Sequence, residues 1–514
     1  MKINKFIFIL RISTLTFFLA FSCTDLDTKV YDQVADFWNT PSQIAAGVAP
    51  AYASLRGYPS PVGGVYPLNE LSSDEIIVPT RGSDWSDNGV WEEMWKHTWT
   101  PSNFMFAQGW QFIYNGIAQV NQILQTVETL DPKPKDLVSI VSELKTIRAF
   151  YHYMALDLFG NVPISINNNA GLKDVCTQPR VEVFAFVEKE LKNNLQGLSA
   201  DVSPLTYGRA TQWLAHAILA KLYLNAPVFE GTNKWTECIA QCDAILSSNK
   251  YNLEKSFFDN FKIANEGSRE NIFSIPYDKQ NGLEGLWIQG ATLHYNSRST
   301  FGLLAGGANG FCTPAQFYSF FDSNDIRKNS FLVGQQYENQ IREAIYAQYD
   351  TEVNLPLNFD PEITTFSSPD AKFRMAGARC AKWEFNKSFG NMSNDFGVFR
   401  LADIILMKAE AQYLKGDIAG ALATINQKIN GVSIRSRALM PDFTPAEMNR
   451  DGLLAERARE LSWEGFRRND MIRLGRFNAA RVPEKGISPP FRSLYPIPSS
   501  EIAKNDCLKQ NPGY

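Results

Sequence analysis

"LADIILMKAEAQYLKGDIAGALATINQKIN", residues 401–430, reads as two helices folded about one turn. Ala402, Met407, Ala409, Glu410 and Leu414 precede a Lys-Gly-Asp turn, and Ala419, Ala421 and Leu422 follow it. Small residues let two helices approach closely, while Gly closes one helix and Asp opens the next. A lone pair of this kind leaves apolar faces uncovered, so it demands neighbours.

The rest of the chain supplies them. Helical periodicity runs through 109–130, with Phe112, Gly116, Val120, Ile123 and Leu124 at three- and four-residue steps, and ends at "DPKPKD". Further helices are predicted over 137–160, 181–198, 209–226 and 234–248. The 401–430 pair and the 209–248 pair resemble tetratricopeptide units, which stack in space even when far apart in sequence. Between about 250 and 400 the period is lost. Gly, Asn, Ser and aromatics dominate there, as they do over 56–100, and such stretches predict long loops on a helical frame, where binding usually sits.

Bulk properties narrow the function. The chain has 514 residues, 54 acidic against 50 basic, and a net charge of −4, without a basic run of the kind nucleic acid requires. Aromatics make up 13%, more than cores demand, which fits a protein that presents flat rings to a partner. Residues 1–22 carry Lys2, Lys5 and Arg11 ahead of an apolar run too short to span a bilayer, and read as an export signal that stops at Cys23. The six later cysteines follow no framework spacing. Cys238 and Cys242 lie four apart without a nearby His and read as small buried hydrophobes, not as half a zinc site.

Five blocks, "LKTIRAFYHYMALDLFGNVPI", "YGRATQWLAHAILAKLYLNAPVF", "FRLADIILMKAEAQYLKGD", "ERARELSWEGFRRNDMIRLGRF" and "LYPIPSSEIAKNDCLKQNPGY", resemble the successive signature blocks of the SusD/RagB family, in the family's order. The resemblance implies a mostly α fold, with about four tetratricopeptide-like helix pairs scaffolding a loop-rich ligand face. It also implies a surface-exposed outer-membrane lipoprotein that binds oligo- or polysaccharide and lids a SusC-like TonB-dependent transporter, without cofactor or catalysis. Related lids serve peptide importers, so a peptide ligand stays open. The division expected is a leader over 1–22, an N-terminal region over 23–250 with its ligand loop at 60–100, and a C-terminal region over 251–514, loop-rich to 400 and helical over 401–480, all in one compact unit. "FFLAFSC" is similar to a lipobox, with Leu19, Ala20 and Ser22 ahead of Cys23, and the acidic "TDLD" behind it resembles a surface-export tag. Acyl chains on Cys23 then replace a membrane helix as anchor.

A sugar ring has an apolar C–H face and an equator of hydroxyls, so its site wants an exposed ring with carboxylates, amides or Arg alongside. "PTRGSDWSDN" offers Arg81, Asp84, Trp85, Asp87 and Asn88 within one turn-rich loop. Trp91, Trp95 and Trp99 repeat at helical spacing and are expected in the core with Trp110, whereas Trp85 is expected to be exposed. The second candidate face is 284–314. By the resemblance, Trp85 falls in the family's N-terminal ligand loop and Trp287, Tyr295 and Phe311 in the later one, where Ala308 precedes "NG" and Phe311 follows it. Glu460 and Glu464 lie four apart on one helical face, a spacing open to a glycosidase carboxylate pair. Yet Glu456 reaches Arg459, and Glu464 reaches Arg467 and Arg468, so ion-pair scaffolding is the expectation and a lipid-anchored glycosidase the enzymatic alternative. Neither a Walker loop nor a metal-ligand spacing is present in the sequence.

Overall fold

The computed structural model describes residues 38 and 40–514, except 132, 170–174, 279–280, 282, 284, 340, 348–354, 386 and 388–391. The leader and Cys23 lie outside the described residues.

Ten helices of seven residues or more frame the site: α1 Pro41–Ala53, α2 Phe104–Thr129, α3 Leu137–Leu158, α4 Arg180–Asn194, α5 Gln212–Leu224, α6 Trp235–Ser247, α7 Leu401–Leu414, α8 Ile418–Ile425, α9 Arg450–Leu461 and α10 Arg467–Arg473. A further seven-residue helix, Val90–Lys96, sits within the first ligand loop. Helix α2 packs on α3, α3 on α4, α5 on α6, α6 on α7 and α7 on α8. The opening stretch thus continues a layer begun some 150 residues earlier, which is how the apolar faces of 401–430 are covered. Asp417 caps α8 by accepting from the Gly420 amide at 2.8 Å, in the role its place after Lys-Gly predicts.

One hydrophobic core runs from Trp38 to Leu508 and takes in Trp91, Trp95, Trp99 and Trp110, as the spacing predicts. Cys238 and Cys242 are buried in it with free thiols. Cys176 and Cys507, which have no spacing to announce them, form a disulfide across 331 residues and pin the C-terminal tail beside the strand Thr177–Gln178.

The 250–400 region is more ordered than its composition implies. Strand Asn271–Ile275 pairs antiparallel with Phe396–Arg400, and that second strand leads directly into α7. A small meander over 334–359 carries its own satellite core of Ile345, Ala347, Leu357, Phe359 and Met375.

Helix α9 ends at Leu461, and the chain turns through Trp463 at φ 62° and Gly465 at φ 85° before α10 begins. Glu70 and Glu75, both buried, hold this turn by accepting from the Gly465 and Trp463 amides at 2.5 Å each. The expected helical pairing of Glu464 with Arg467 and Arg468 is therefore wrong. Glu464 instead pairs with Lys382 at 2.5 Å and Arg400 at 2.7 Å, Arg467 pairs with Asp74 at 2.7 Å, and Arg468 with Asp157 at 3.4 Å. Glu456 does pair with Arg459, at 2.7 Å.

These contacts belong to a buried ion network. Glu460, fully enclosed, meets Arg437 at 2.5 Å, Arg400 at 3.2 Å and Arg327 at 3.3 Å. Asp403 meets Lys221 at 3.0 Å and Arg457 at 2.8 Å, and Glu410 meets Arg473 at 2.5 Å. Burial alone would raise Glu270 and Glu456, but the neighbouring guanidinium groups prevail. Arg437 and Arg400 hold Glu270 down at about 2, and Arg327 and Arg459 hold Glu456 at about 2.

Removing one charge from such a cluster leaves its partners buried and uncompensated. Glu460→Gln is expected to cost about 3–5 kcal/mol in urea unfolding. The depressed folded-state values of Glu270 and Glu456 stabilise the fold fully above the unfolded value near 4.5, and that contribution is lost as pH falls toward 2. The urea midpoint should therefore drop steeply between pH 4.5 and 2; a midpoint flat across that window would contradict the assignment.

Candidate carbohydrate-binding face

The two candidate loops, more than 200 residues apart in sequence, meet in space. Loop 79–89 is turned by a run of left-handed backbone: Gly82, Trp85, Asp87, Asn88 and Gly89 all have positive φ. For Trp85, at φ 57°, that conformation is strained, and it is held from several sides. Its backbone oxygen accepts from the Thr80 hydroxyl at 3.2 Å, and its indole N–H donates to the Ala308 oxygen at 2.7 Å. Its ring meets Trp91 edge-on at 5.3 Å and Phe311 at 5.8 Å. Trp91 meets Phe104 at 6.4 Å, and Phe104 is 40% exposed at the first turn of α2.

Beside this aromatic group lies a polar one. Asp84 accepts from the Tyr295 hydroxyl and from Arg374 at 2.8 Å, with the Arg374 and Asp84 side chains only 15% and 17% exposed. Half-buried Asp84, Trp85 and Tyr295 thus form one surface of ring, carboxylate and guanidinium. Next to it, Asn296 donates to the Tyr346 oxygen at 2.6 Å, and the meander presents Tyr346 and Tyr337, 41% and 50% exposed. Their positions on opposed strands place both on the face away from Ile345 and Leu357.

Two of the expected contact residues do not reach this surface. Arg81 is fully buried: its guanidinium donates to the carbonyls of Asn309 at 2.9 Å, Gly310 at 3.0 Å and Ala376 at 2.9 Å. Phe311 is also fully buried, beneath Trp85 and Trp91. Both act as supports, because two loops lying on each other bury whatever points between them. Trp287 is half-buried above Gly290 at the start of the short helix Ile288–Thr292, which receives the amides of Ala308, Gly310 and Phe311 on its carbonyls. Sequence reasoning missed Arg374, Tyr337 and Tyr346. No motif marks Arg374, and the tyrosines are recognisable only once the strands of the meander are aligned.

His216 accepts or donates at Gln241, 2.7 Å away, and His97, His152 and His294 are buried with burial pulling each below the ordinary imidazole value. Among the described residues, no cluster of three or more His, Cys, Asp or Glu is placed to hold a metal ion, and no helix is long and apolar enough to cross a membrane.

Gly310 carries the closest constraint on the platform, since a Cβ there would stand 2.5 Å from the Trp85 ring. Gly310→Ala is expected to displace that ring, cost about 1–3 kcal/mol of stability, and shift tryptophan emission. Unchanged emission with unchanged melting would contradict this packing.

A family model described as the SusD family matches residues 246–514, and one described as starch-binding associating with outer membrane matches residues 63–224. The starch-binding protein SusD of Bacteroides thetaiotaomicron is 24% identical over 487 residues, covering 87% of this chain and 84% of that protein. SusD-like protein P25 of Formosa agariphila is 23% identical over 535 residues, covering 96% of each. Among solved structures, surface glycan-binding protein A from Bacteroides thetaiotaomicron in complex with laminarihexaose matches with a TM-score of 0.70 at 21% identity, over 92% of this chain and 100% of that one. A laminarin binding SusD-like protein matches with a TM-score of 0.71 at 21% identity, over 93% and 100%. These likenesses establish the fold.

Proposed function

Because this chain belongs to the SusD family, we propose that it is a cell-surface lipoprotein that captures oligo- or polysaccharide, without cleaving it, for a SusC-like TonB-dependent outer-membrane transporter. The observation that carries the reading is the meeting of loops 79–89 and 287–312 around Trp85, Tyr295 and Asp84. An aromatic ring supplies the face on which a sugar's C–H groups stack, and Asp84 with Arg374 supplies acceptors and donors for its hydroxyls. Trp85 needs no rearrangement to do this, since its N–H, backbone and ring edges are already engaged. Trp287 completes the later loop as a second ring surface. The starch and laminarin named for the relatives make glucans the first ligands to try.

Glu460, the acid that a glycosidase reading would use, does not suit that role. Burial would raise Glu460, but Arg437, Arg400 and Arg327 hold it below the ordinary carboxylate value, so it stays ionised and cannot protonate a leaving group. It is also sealed from any substrate. The leader and the acidic residues behind it support anchoring through acylated Cys23.

Calorimetry of the chain lacking residues 1–23 against laminarihexaose, maltohexaose and cellohexaose tests the proposal. At least one should bind, with Trp85→Ala weakening it about tenfold or more, equivalent to ~1.4 kcal/mol, and with no new reducing ends on long incubation. Binding to none of these or to any wider glycan panel, or binding of peptides alone, would overturn it.

A further inference from the structure

Helices α2, α3 and α4 enclose a second concavity that the aromatic face does not use. It is a cleft of about 880 Å³ at the far end of α2, roughly 30 Å along that helix from Phe104 at 1.5 Å per residue. Residues 164–169 cross its mouth.

Its floor is preorganised. Arg148 is 5% exposed, and its Nε donates to Glu190 at 2.7 Å while Nη1 donates to the Asn121 amide oxygen and the Ile166 carbonyl at 2.8 Å each. Nη2 has no partner among the described residues, which leaves a pair of N–H donors on a buried group that lines the cleft. Nη2 is not sealed from solvent, so a ligand oxygen there takes the place of water. The adjacent Glu190 carboxylate offsets the guanidinium charge, and Glu128, Lys145 and Lys189 complete the charged lining.

The walls are lined with amides and edged with apolar surface. Gln125, Asn167, Asn169 and Asn193 are exposed at the rim, and a primary amide both donates and accepts, as a sugar hydroxyl requires of its partner. Half-buried Phe186, braced edge-on by His152 at 4.8 Å, and Ile166, 54% exposed, supply surface for the C–H face of a ring. Concave shape, bidirectional amides, one pre-oriented donor pair and an aromatic wall are the components of a saccharide site.

We propose that this cleft is a second oligosaccharide-binding site, independent of the Trp85 face, so that one chain holds two segments of a glycan. The inference rests on the glycan-binding reading above. The two sites need not share a ligand length, but a polymer long enough to reach both gains avidity over a hexasaccharide.

Calorimetry with the hexasaccharide panel on the chain lacking residues 1–23 separates the outcomes. Two equivalents should bind. Phe186→Ala should abolish one and leave the Tyr295→Ala-sensitive one intact. Because Phe186 braces His152, Asn193→Ala combined with Gln125→Ala at the exposed rim repeats the test without disturbing packing, with an expected loss of fivefold or more at one site only. A single equivalent, sensitive to Tyr295→Ala and indifferent to both cleft variants, overturns this inference and leaves the proposed function standing. Absence of binding to every glycan of this and any wider panel overturns both. Displacement of the cleft-bound sugar by inorganic phosphate also overturns it, in favour of an anion site.

Discussion

Everything on the ligand side hangs from Arg400 and the carboxylates around it. Arg400 ends the one well-formed strand pair and begins α7, and it meets Glu270, Glu460 and Glu464 at 2.6, 3.2 and 2.7 Å. Through Glu464 the network reaches Lys382, and through Glu460 it reaches Arg327, both from the loop-rich region. That region has few long elements to pack, so hydrophobic burial alone defines its position poorly. Charge pairs with fixed geometry do so in a way that a slipped register cannot satisfy. Replacing a whole buried ion cluster by apolar residues is often neutral, but each member alone is indispensable once its partners are buried.

The same logic, with carbonyls in place of carboxylates, positions the binding loops. Arg81 and Arg379 are both buried, and they bind loop backbone: Arg379 donates to the Asn309 side chain at 2.8 Å and the Ala376 oxygen at 2.8 Å, while Arg81 reaches Asn309, Gly310 and Ala376. One guanidinium has five donors in a rigid fork, so a single side chain ties several turns at once. This over-determination is what allows Trp85 to persist in left-handed backbone, and it presents the indole without an ordering cost when ligand arrives.

The helical frame was legible because its signals are local. The expected 109–130, 137–160, 181–198, 209–226 and 234–248 became 104–129, 137–158, 180–194, 212–224 and 235–247, with errors confined to the ends. The site was legible only as composition. That Arg81 and Phe311 belong near Trp85 is correct; that they face outward is not, because which side of a loop is covered depends on the other loop. The break within 456–477 was hidden for a related reason. Nothing in "LSWEGF" competes with helix as clearly as the distant Glu70 and Glu75, which reward the turn by accepting its two amides. The Cys176–Cys507 link is likewise a fact of tertiary approach, invisible in spacing.

Helix α2 joins these observations into one argument about function. Its N-terminal turn carries Phe104 beneath the Trp91–Trp85 group, and its last turns carry Asn121, Gln125 and Glu128 into the amide-lined cleft. Asn121, Gln125 and Glu128 lie on one stripe by their spacing of four and three, on a helix that packs on α3 and the short helix Tyr66–Glu70 and leaves Gln111, Asn115 and Gln122 exposed. In the cleft, Arg148 meets Asn121, Gln125 donates to the Asn169 side chain at 3.4 Å, and Glu128 is exposed. A rigid rod with a ring surface at one end and hydroxyl-seeking amides at the other suits a long, repetitive ligand better than a compact one, because only a long ligand gains from the fixed separation.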